Sequence, residues 1–121
     1  MAKILLVDDD PTNNDLLKMF LELEAFEVSA VRNLEQARLN LEPSINLVLL
    51  DYHLDKNTRG VDLLKDIRAG MTQAAVSTPV IITSGDDRVM DLSLELGASL
   101  FMQKPFSPSA LVVEIRRFLA S

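Results

Sequence analysis

The chain contains no cysteine and no tryptophan, and it has one histidine and one tyrosine among its 121 residues. Without cysteine there is no disulfide framework, thiolate nucleophile, zinc–thiolate centre or iron–sulfur cluster. A lone histidine, His53, builds no multi-histidine metal site, and any serine–histidine–aspartate triad would have to run through it. Basic residues are in the minority, 12 Lys+Arg against 18 Asp+Glu, for a formal charge of −6. That balance, with few aromatic stacking platforms, argues against direct nucleic-acid binding. No apolar run approaches the ~20 residues that span a bilayer, so no membrane insertion is expected. The run from Ile4 to Val7 is also shorter than the about 7–15 apolar residues of a signal-peptide core. A cytoplasmic protein is expected.

What is present is ordinary globular material, 48% hydrophobic and 25% charged. The length predicts a single domain over 1–121, with no output domain in this chain. Short apolar runs alternate with amphipathic stretches. Ile4-Leu5-Leu6-Val7, Leu47-Val48-Leu49-Leu50 and Pro79-Val80-Ile81-Ile82 lack polar alternation, which suits strands buried on both faces. Glu27 to Val31 predicts a weaker strand, and Leu100-Phe101-Met102 a short last one.

Helices are predicted between the strands. Asp10 caps the first, with Pro11 at its opening position and Leu16, Leu17, Phe20, Leu21 and Leu23 at helical spacing. Asn33 and Gln36 resemble a capping box ahead of Leu34, Ala37 and Leu41. Val61, Leu64 and Ile67 carry a third helix, which Gly70 terminates. Asp86 and Asp87 begin a fourth, containing Val89, Met90, Leu94 and Leu96 and stopped by Gly97, and Ser107-Pro108 opens the last. Five strands alternating with five helices imply right-handed crossovers and an α/β fold, a five-stranded parallel sheet with helices on both faces.

In such folds function gathers beyond the carboxyl ends of the strands. Asp8, Asp9 and Asp10 follow the first strand, Asp51 ends the third, Ser84 the fourth and Lys104 the fifth. Clustered carboxylates repel one another unless a cation shares the site. All-oxygen ligands favour a hard cation, and Mg²⁺ fits best because it accepts a few carboxylates and keeps water for the rest of its octahedron. Asp10 is assigned to helix capping, Asp8 and Asp9 to the metal.

These segments resemble a response-regulator receiver domain, the (βα)5 flavodoxin-like phosphoacceptor of two-component signalling, over about Lys3 to Ala120. They are Ile4 to Pro11, Leu47 to Asp51, Pro79 to Gly85 and Lys104-Pro105-Phe106. The resemblance implies that Asp51 accepts a phosphoryl group from the phosphohistidine of a histidine kinase or histidine phosphotransfer protein. Mg²⁺ would sit on Asp8, Asp9, Asp51 and the backbone carbonyl of His53. Ser84 would bond a phosphoryl oxygen, Lys104 would pair with the phosphorylated carboxylate, and the Lys104–Pro105 bond would be cis. The chain would be a signalling switch rather than a turnover enzyme. Its output would go to a downstream protein target, and the last strand and last two helices would form the surface for partners or for a homodimer.

Phosphoryl transfer asks little covalent chemistry of a protein. It asks for in-line placement and compensation of charge on the equatorial oxygens. Asp51 is the ionised nucleophile, and Ser84 supplies a neutral donor with room left by Gly85. The switch is expected to be a population shift in which Ser84 turns inward and Phe101 fills the vacated space. Phe101 stands where many receivers carry Tyr, so a tyrosine hydrogen bond is not part of that switch. The loop from Asp51 to Gly60 is one residue longer than the commonest pattern, and Asp55 stands where proline is frequent. His53 and Asp86, two residues after Asp51 and Ser84, are expected to tune the phosphoryl lifetime. The alternative is a pseudo-receiver, an interaction module without phosphorylation.

Overall fold

The computed structural model describes residues 1–55 and 57–120. Lys56, inside the predicted polar loop, and Ser121, the end of the predicted domain, lie outside the described residues.

Five strands form one sheet in the order β2-β1-β3-β4-β5. They are β1 (Lys3–Val7), β2 (Glu27–Val31), β3 (Leu47–Asp51), β4 (Val80–Ser84) and β5 (Leu100–Gln103). Every pairing is parallel. The helices are α1 (Pro11–Leu23), α2 (Leu34–Asn40), α3 (Val61–Arg68), α4 (Met90–Glu95) and α5 (Pro108–Leu119).

The unbroken apolar runs have a direct structural reason. Successive strand residues point to opposite faces, and both faces are covered. Leu5, Val7, Val48, Leu50, Val80 and Ile82 pack on one face with Ala37, Val61, Leu64 and Ile67. Ile4, Leu6, Leu47, Leu49 and Ile81 pack on the other with Leu17 and Leu21 of α1 and Leu111, Val112 and Ile115 of α5. Each fully buried Val, Leu or Ile side chain among these contributes about 1.5–3 kcal/mol of transfer free energy. The three central strands are therefore a stiff platform for whatever projects from their ends.

Local signals fix the helix starts. The Asp10 carboxylate accepts from the N–H groups of Thr12 (3.0 Å) and Asn13 (3.4 Å). Ser107 Oγ accepts from Ala110 N–H at 3.1 Å. Asn33 Oδ1 accepts from Gln36 N–H at 2.8 Å, but the return bond is displaced. Gln36 Oε1 accepts from Arg32 N–H at 3.1 Å, one residue before the cap.

Two helices differ from expectation. In α1, Leu17 and Leu21 are buried one turn apart, whereas Leu16 and Leu23 are exposed because each lies about 100° or more around the helix from that face. The fourth helix is not continuous. Asp86 caps a single 3-10 turn, Asp87–Val89, and α4 then runs for six residues with Leu96 as its C-cap. Among its residues Ser93 is buried, while Met90, Leu92 and Leu94 are exposed.

Arg68, at the end of α3, ties this segment down. Its guanidinium donates to the carbonyls of Val76 and Thr78 at 2.7 Å, and Nε donates to Gly97 O at 2.9 Å. Gly97 has φ +107°, and a Cβ there would lie 2.9 Å from the Arg68 side chain, so glycine is required twice over. On the other face of the sheet Arg116 of α5 pairs with Glu24, just after α1, at 2.9 Å, and Arg117 with Glu114 at 2.9 Å.

Candidate functional site

The site lies at the carboxyl ends of β1, β3, β4 and β5. In the strand order β1 and β3 are neighbours, with the chain turning outward to β2 on one side and to β4 on the other. That is the switch point at which α/β sheets open a crevice.

Asp8 follows β1 and is buried. Its Oδ1 accepts from Asp10 N–H at 3.0 Å, and its Oδ2 accepts from Asn13 Nδ2. Asn14 Nδ2 donates to the carbonyls of Asp8 (2.9 Å) and Val31 (2.8 Å), joining the ends of β1 and β2. Sequence reasoning does not identify either asparagine. The available signal is an amide pair in a first helical turn, where propensity favours neither.

Asp51, the last residue of β3, is 7% exposed. Lys104 Nζ donates to its Oδ2 at 3.1 Å and stands 3.8 Å from Asp8 Oδ2. Burial pushes the Asp51 carboxyl up to about 6, with Lys104 acting against it and Asp8 and Asp9 adding to it. Burial and the neighbouring Asp8 also raise Asp9. Asp8, Asp9 and Asp51 each offer a carboxylate oxygen within 4.8 Å of the others. One lysine among three such acids leaves the cluster short of positive charge, and its all-oxygen donor set suits a hard divalent cation.

His53 is exposed, with its ring edge-on to Tyr52 at 4.7 Å. Its backbone bridges Arg59, with bonds from Leu54 N–H to Thr58 O (3.1 Å) and from Gly60 N–H to Tyr52 O (2.6 Å). The His53 carbonyl stands outside that pair of bonds. Gly60 closes the loop against Asp51, where a Cβ would fall 2.2 Å from the Asp51 carbonyl oxygen. This close approach makes Gly60 a site residue. The sequence marks it only as the end of a polar loop.

Ser84, the last residue of β4, is buried, and its Oγ accepts from Asp86 N–H at 3.0 Å. The space beside Gly85 is open, since a Cβ there would meet nothing within 4 Å. Room for a group exists without requiring glycine. Phe101 pairs in register with Ile82 and packs, half-buried, against the core on the α3 side. Asp86 gives its carboxylate to Arg88, whose hydrogen bonds hold it below the usual carboxylate range with a smaller contribution from His53. The Lys104–Pro105 bond is cis. A cleft of about 260 Å³ opens between α1 and the start of α5, lined by Asn13, Leu17, Lys104, Pro105 and Phe106.

A five-stranded parallel sheet carrying acids at the ends of β1 and β3, a hydroxyl at the end of β4 and a lysine just after β5 defines the class of doubly wound α/β domains with an acidic cluster at the switch point. The family model described as the response regulator receiver domain matches residues 4–116, and the chain belongs to that family of two-component systems. It is 43% identical over 121 residues to the transcriptional regulatory protein CpxR of Escherichia coli, covering 98% of this chain and 50% of that protein. It is 36% identical over 118 residues to the transcriptional regulatory protein CssR of Bacillus subtilis, covering 96% and 50%. The chain thus spans about half the length of these curated relatives. Among solved structures, a CheY-like receiver domain protein of Methanospirillum hungatei superposes with a TM-score of 0.87 at 28% identity, over 99% of this chain and 94% of that one. The BeF3-activated receiver domain of RstA from Klebsiella pneumoniae gives 0.80 at 29% identity, over 98% and 99%. No helix among the described residues is long and apolar enough to cross a membrane.

Proposed function

We propose that this domain is a phosphorylation-driven switch in which Asp51 takes a phosphoryl group from the phosphohistidine of a histidine kinase or histidine phosphotransfer protein. An Asp51 oxygen forms the bond to phosphorus as the phosphorus–nitrogen bond of the donor breaks, and that electron pair stays on the donor imidazole. Hydrolysis of the acyl phosphate later returns inorganic phosphate and the Asp51 carboxylate, so the chain is a switch rather than a turnover enzyme. The observation that carries this reading is Lys104 bonded at 3.1 Å to a buried Asp51, with Asp8 and Asp9 oxygens within 4.8 Å.

Mg²⁺ would be held by Asp8, Asp9, Asp51 and the His53 carbonyl, and it would offset the charge of the phosphoryl oxygens. The chain's own residues do the rest. Lys104 orients Asp51 and neutralises one oxygen, Ser84 donates to another after turning inward, and Phe101 takes the space that Ser84 leaves. His53 and Asp86, on either side of the site, tune the lifetime of the phosphoryl group.

The cleft beside Lys104 and Pro105 supports docking of the phosphodonor next to Asp51. The exposed Met90, Leu92 and Leu94 of α4 and Val113 of α5 support an output or homodimer surface on the β5 side. The two relatives named are called transcriptional regulators and are about twice as long, so a downstream effector region is the natural target in a longer protein.

Incubation with Mg²⁺ and acetyl phosphate or beryllofluoride tests the reading, with Asp51→Asn as control. The expected result is a mass increase or a spectral change that the variant lacks. A folded wild-type protein that responds to neither reagent at millimolar concentration would instead be an interaction module of the same fold.

A further inference from the structure

The loop after β4 is held by a short chain of bonds that passes through Asp86. On one side its N–H donates to Ser84 Oγ at 3.0 Å. On the other its carboxylate accepts three bonds from a single residue. Oδ1 takes Arg88 N–H (3.0 Å) and Arg88 Nε (2.9 Å), and Oδ2 takes Arg88 Nη2 (3.1 Å). The guanidinium fork therefore meets both carboxylate oxygens, a geometry that lysine cannot reproduce. Asp86 itself is in an extended conformation, with φ −103° and ψ +106°, as the cap of the 3-10 turn Asp87–Val89.

The Asp86 N–H fixes where the Ser84 hydroxyl sits. No hydrogen bond joins Ser84 Oγ to Asp51 or Lys104 among the described residues. Rotation of a hydroxyl between staggered wells moves its oxygen by roughly 2 Å, enough to break a 3.0 Å bond. For Ser84 to turn toward a group on Asp51, the Asp86 N–H must lose its acceptor or follow it. Whatever fixes Asp86 opposes that turn.

We propose that Arg88 is a positioning residue for the switch. Its clamp on Asp86 holds the loop in the arrangement that keeps the Ser84 hydroxyl on the Asp86 N–H and off the phosphoryl site. The inference rests on Asp51 being the phosphoacceptor and deepens that reading. It adds a residue that sets the balance between resting and activated forms without touching the phosphoryl group. Arg88 is 86% exposed on its side chain, and exposed ion pairs contribute little, so the balance it sets is a modest one.

The test is a cycle of Arg88→Gln, Asp86→Asn and the double variant. Beryllofluoride affinity in Mg²⁺ is measured, together with hydrogen exchange at the Asp86 amide in the unmodified protein. Arg88→Gln is expected to tighten beryllofluoride binding two- to fivefold and to lower protection of the Asp86 amide, at an unchanged melting temperature. Asp86→Asn should give a similar gain, and the double variant no more than either single one. Arg88→Lys should fall between wild type and Arg88→Gln. Unchanged affinity and protection in Arg88→Gln, or fully additive effects in the double variant, would overturn the proposal. Failure of the wild type to bind beryllofluoride sinks the phosphoacceptor reading instead, and the amide-exchange measurement still decides whether Arg88 clamps Asp86.

Discussion

Lys104 Nζ lies 3.1 Å from Asp51 Oδ2 and 3.8 Å from Asp8 Oδ2, so one ammonium serves two buried carboxylates from different strands. Both acids are held by stiff strands, β3 and the end of β1, whereas Lys104 reaches them from a side chain with four rotatable carbons. The cation is the mobile partner of the set. In the unmodified protein it offsets repulsion that burial has sharpened.

Removing that cation should therefore cost stability where the acids are ionised. Lys104→Met is expected to lower unfolding free energy by about 1–2 kcal/mol at pH 7, after allowing for partial exposure of the lysine. Millimolar Mg²⁺ should restore part of the loss by binding the folded state alone. Urea unfolding with and without the ion measures both effects, and a variant as stable as wild type in the absence of Mg²⁺ would contradict this account.

The raised Asp51 carboxyl gives a pH dependence whose sign is opposite to that of most native carboxylates. Its folded value of about 6 lies above the ordinary 3.8, so between those values the folded state holds a proton that the unfolded state has lost. The contribution of Asp51 to stability is thus most favourable below pH 4, falls as pH rises through 6, and is flat above. The total fall is about 2 kcal/mol once solvent screening is allowed for. The measurement is the difference in unfolding free energy between wild type and Asp51→Asn from pH 4 to 8. The variant should become the more stable of the two above pH 6, and Mg²⁺ should narrow that gap for the same reason that it rescues Lys104→Met.

Much of the fold was legible because both faces of the sheet are covered. Runs such as Leu47 to Leu50 admit few alternatives to a doubly buried strand, and the residue that ends each run is by construction at the rim. Asp51 and Ser84 were therefore locatable from the ends of buried strands, and Lys104 from the end of the shorter, half-buried β5. The rest depends on contacts between residues far apart in sequence. Gly60 looks like a loop glycine until its backbone is seen against the Asp51 carbonyl. Arg68 looks like a helix-end charge until its guanidinium is seen on the carbonyls of Val76, Thr78 and Gly97. The fourth helix is short for a local reason that helical periodicity does not register. Asp86 bonds Arg88, two residues on, and winds the chain into a 3-10 turn before Met90.

Ala25 shows the same limit at a helix end. Its N–H bonds Glu22 O, and the Phe26 N–H bonds Leu21 O, which is the geometry that normally places glycine after a helix. Alanine occupies it at φ +70°. A left-handed residue with a Cβ costs roughly 1–2 kcal/mol, offset in part because alanine leaves the unfolded chain less freedom than glycine does. Ala25→Gly is expected to raise stability by about 0.5–1 kcal/mol. Ala25 lies past the C-terminal end of α1, whereas Asp10, Asn13 and Asn14, which bond Asp8, stand at its start, so beryllofluoride affinity should stay within twofold of wild type. A destabilised variant in chemical denaturation would show that the strain is relieved elsewhere.

Gly60 makes the opposite prediction, because there the obstacle is space rather than backbone angle. Its φ of −57° is open to any residue, so no left-handed penalty is involved. A Cβ would fall 2.2 Å from the Asp51 carbonyl oxygen and 3.0 Å from Leu50 Cγ. Neither neighbour is free to yield, since Leu50 is fully buried and Asp51 ends a central strand. The loop must then lift away from β3, taking with it the Gly60 N–H that bonds Tyr52 O at 2.6 Å. Gly60→Ala is expected to destabilise the domain by about 1–3 kcal/mol, as overpacking does. It should also weaken beryllofluoride binding by more than the stability loss alone predicts, because Tyr52 and His53 border the acceptor. Affinity measured well below the variant's melting temperature separates the two effects. Wild-type affinity in a folded Gly60→Ala protein would show that the loop relaxes without moving the site.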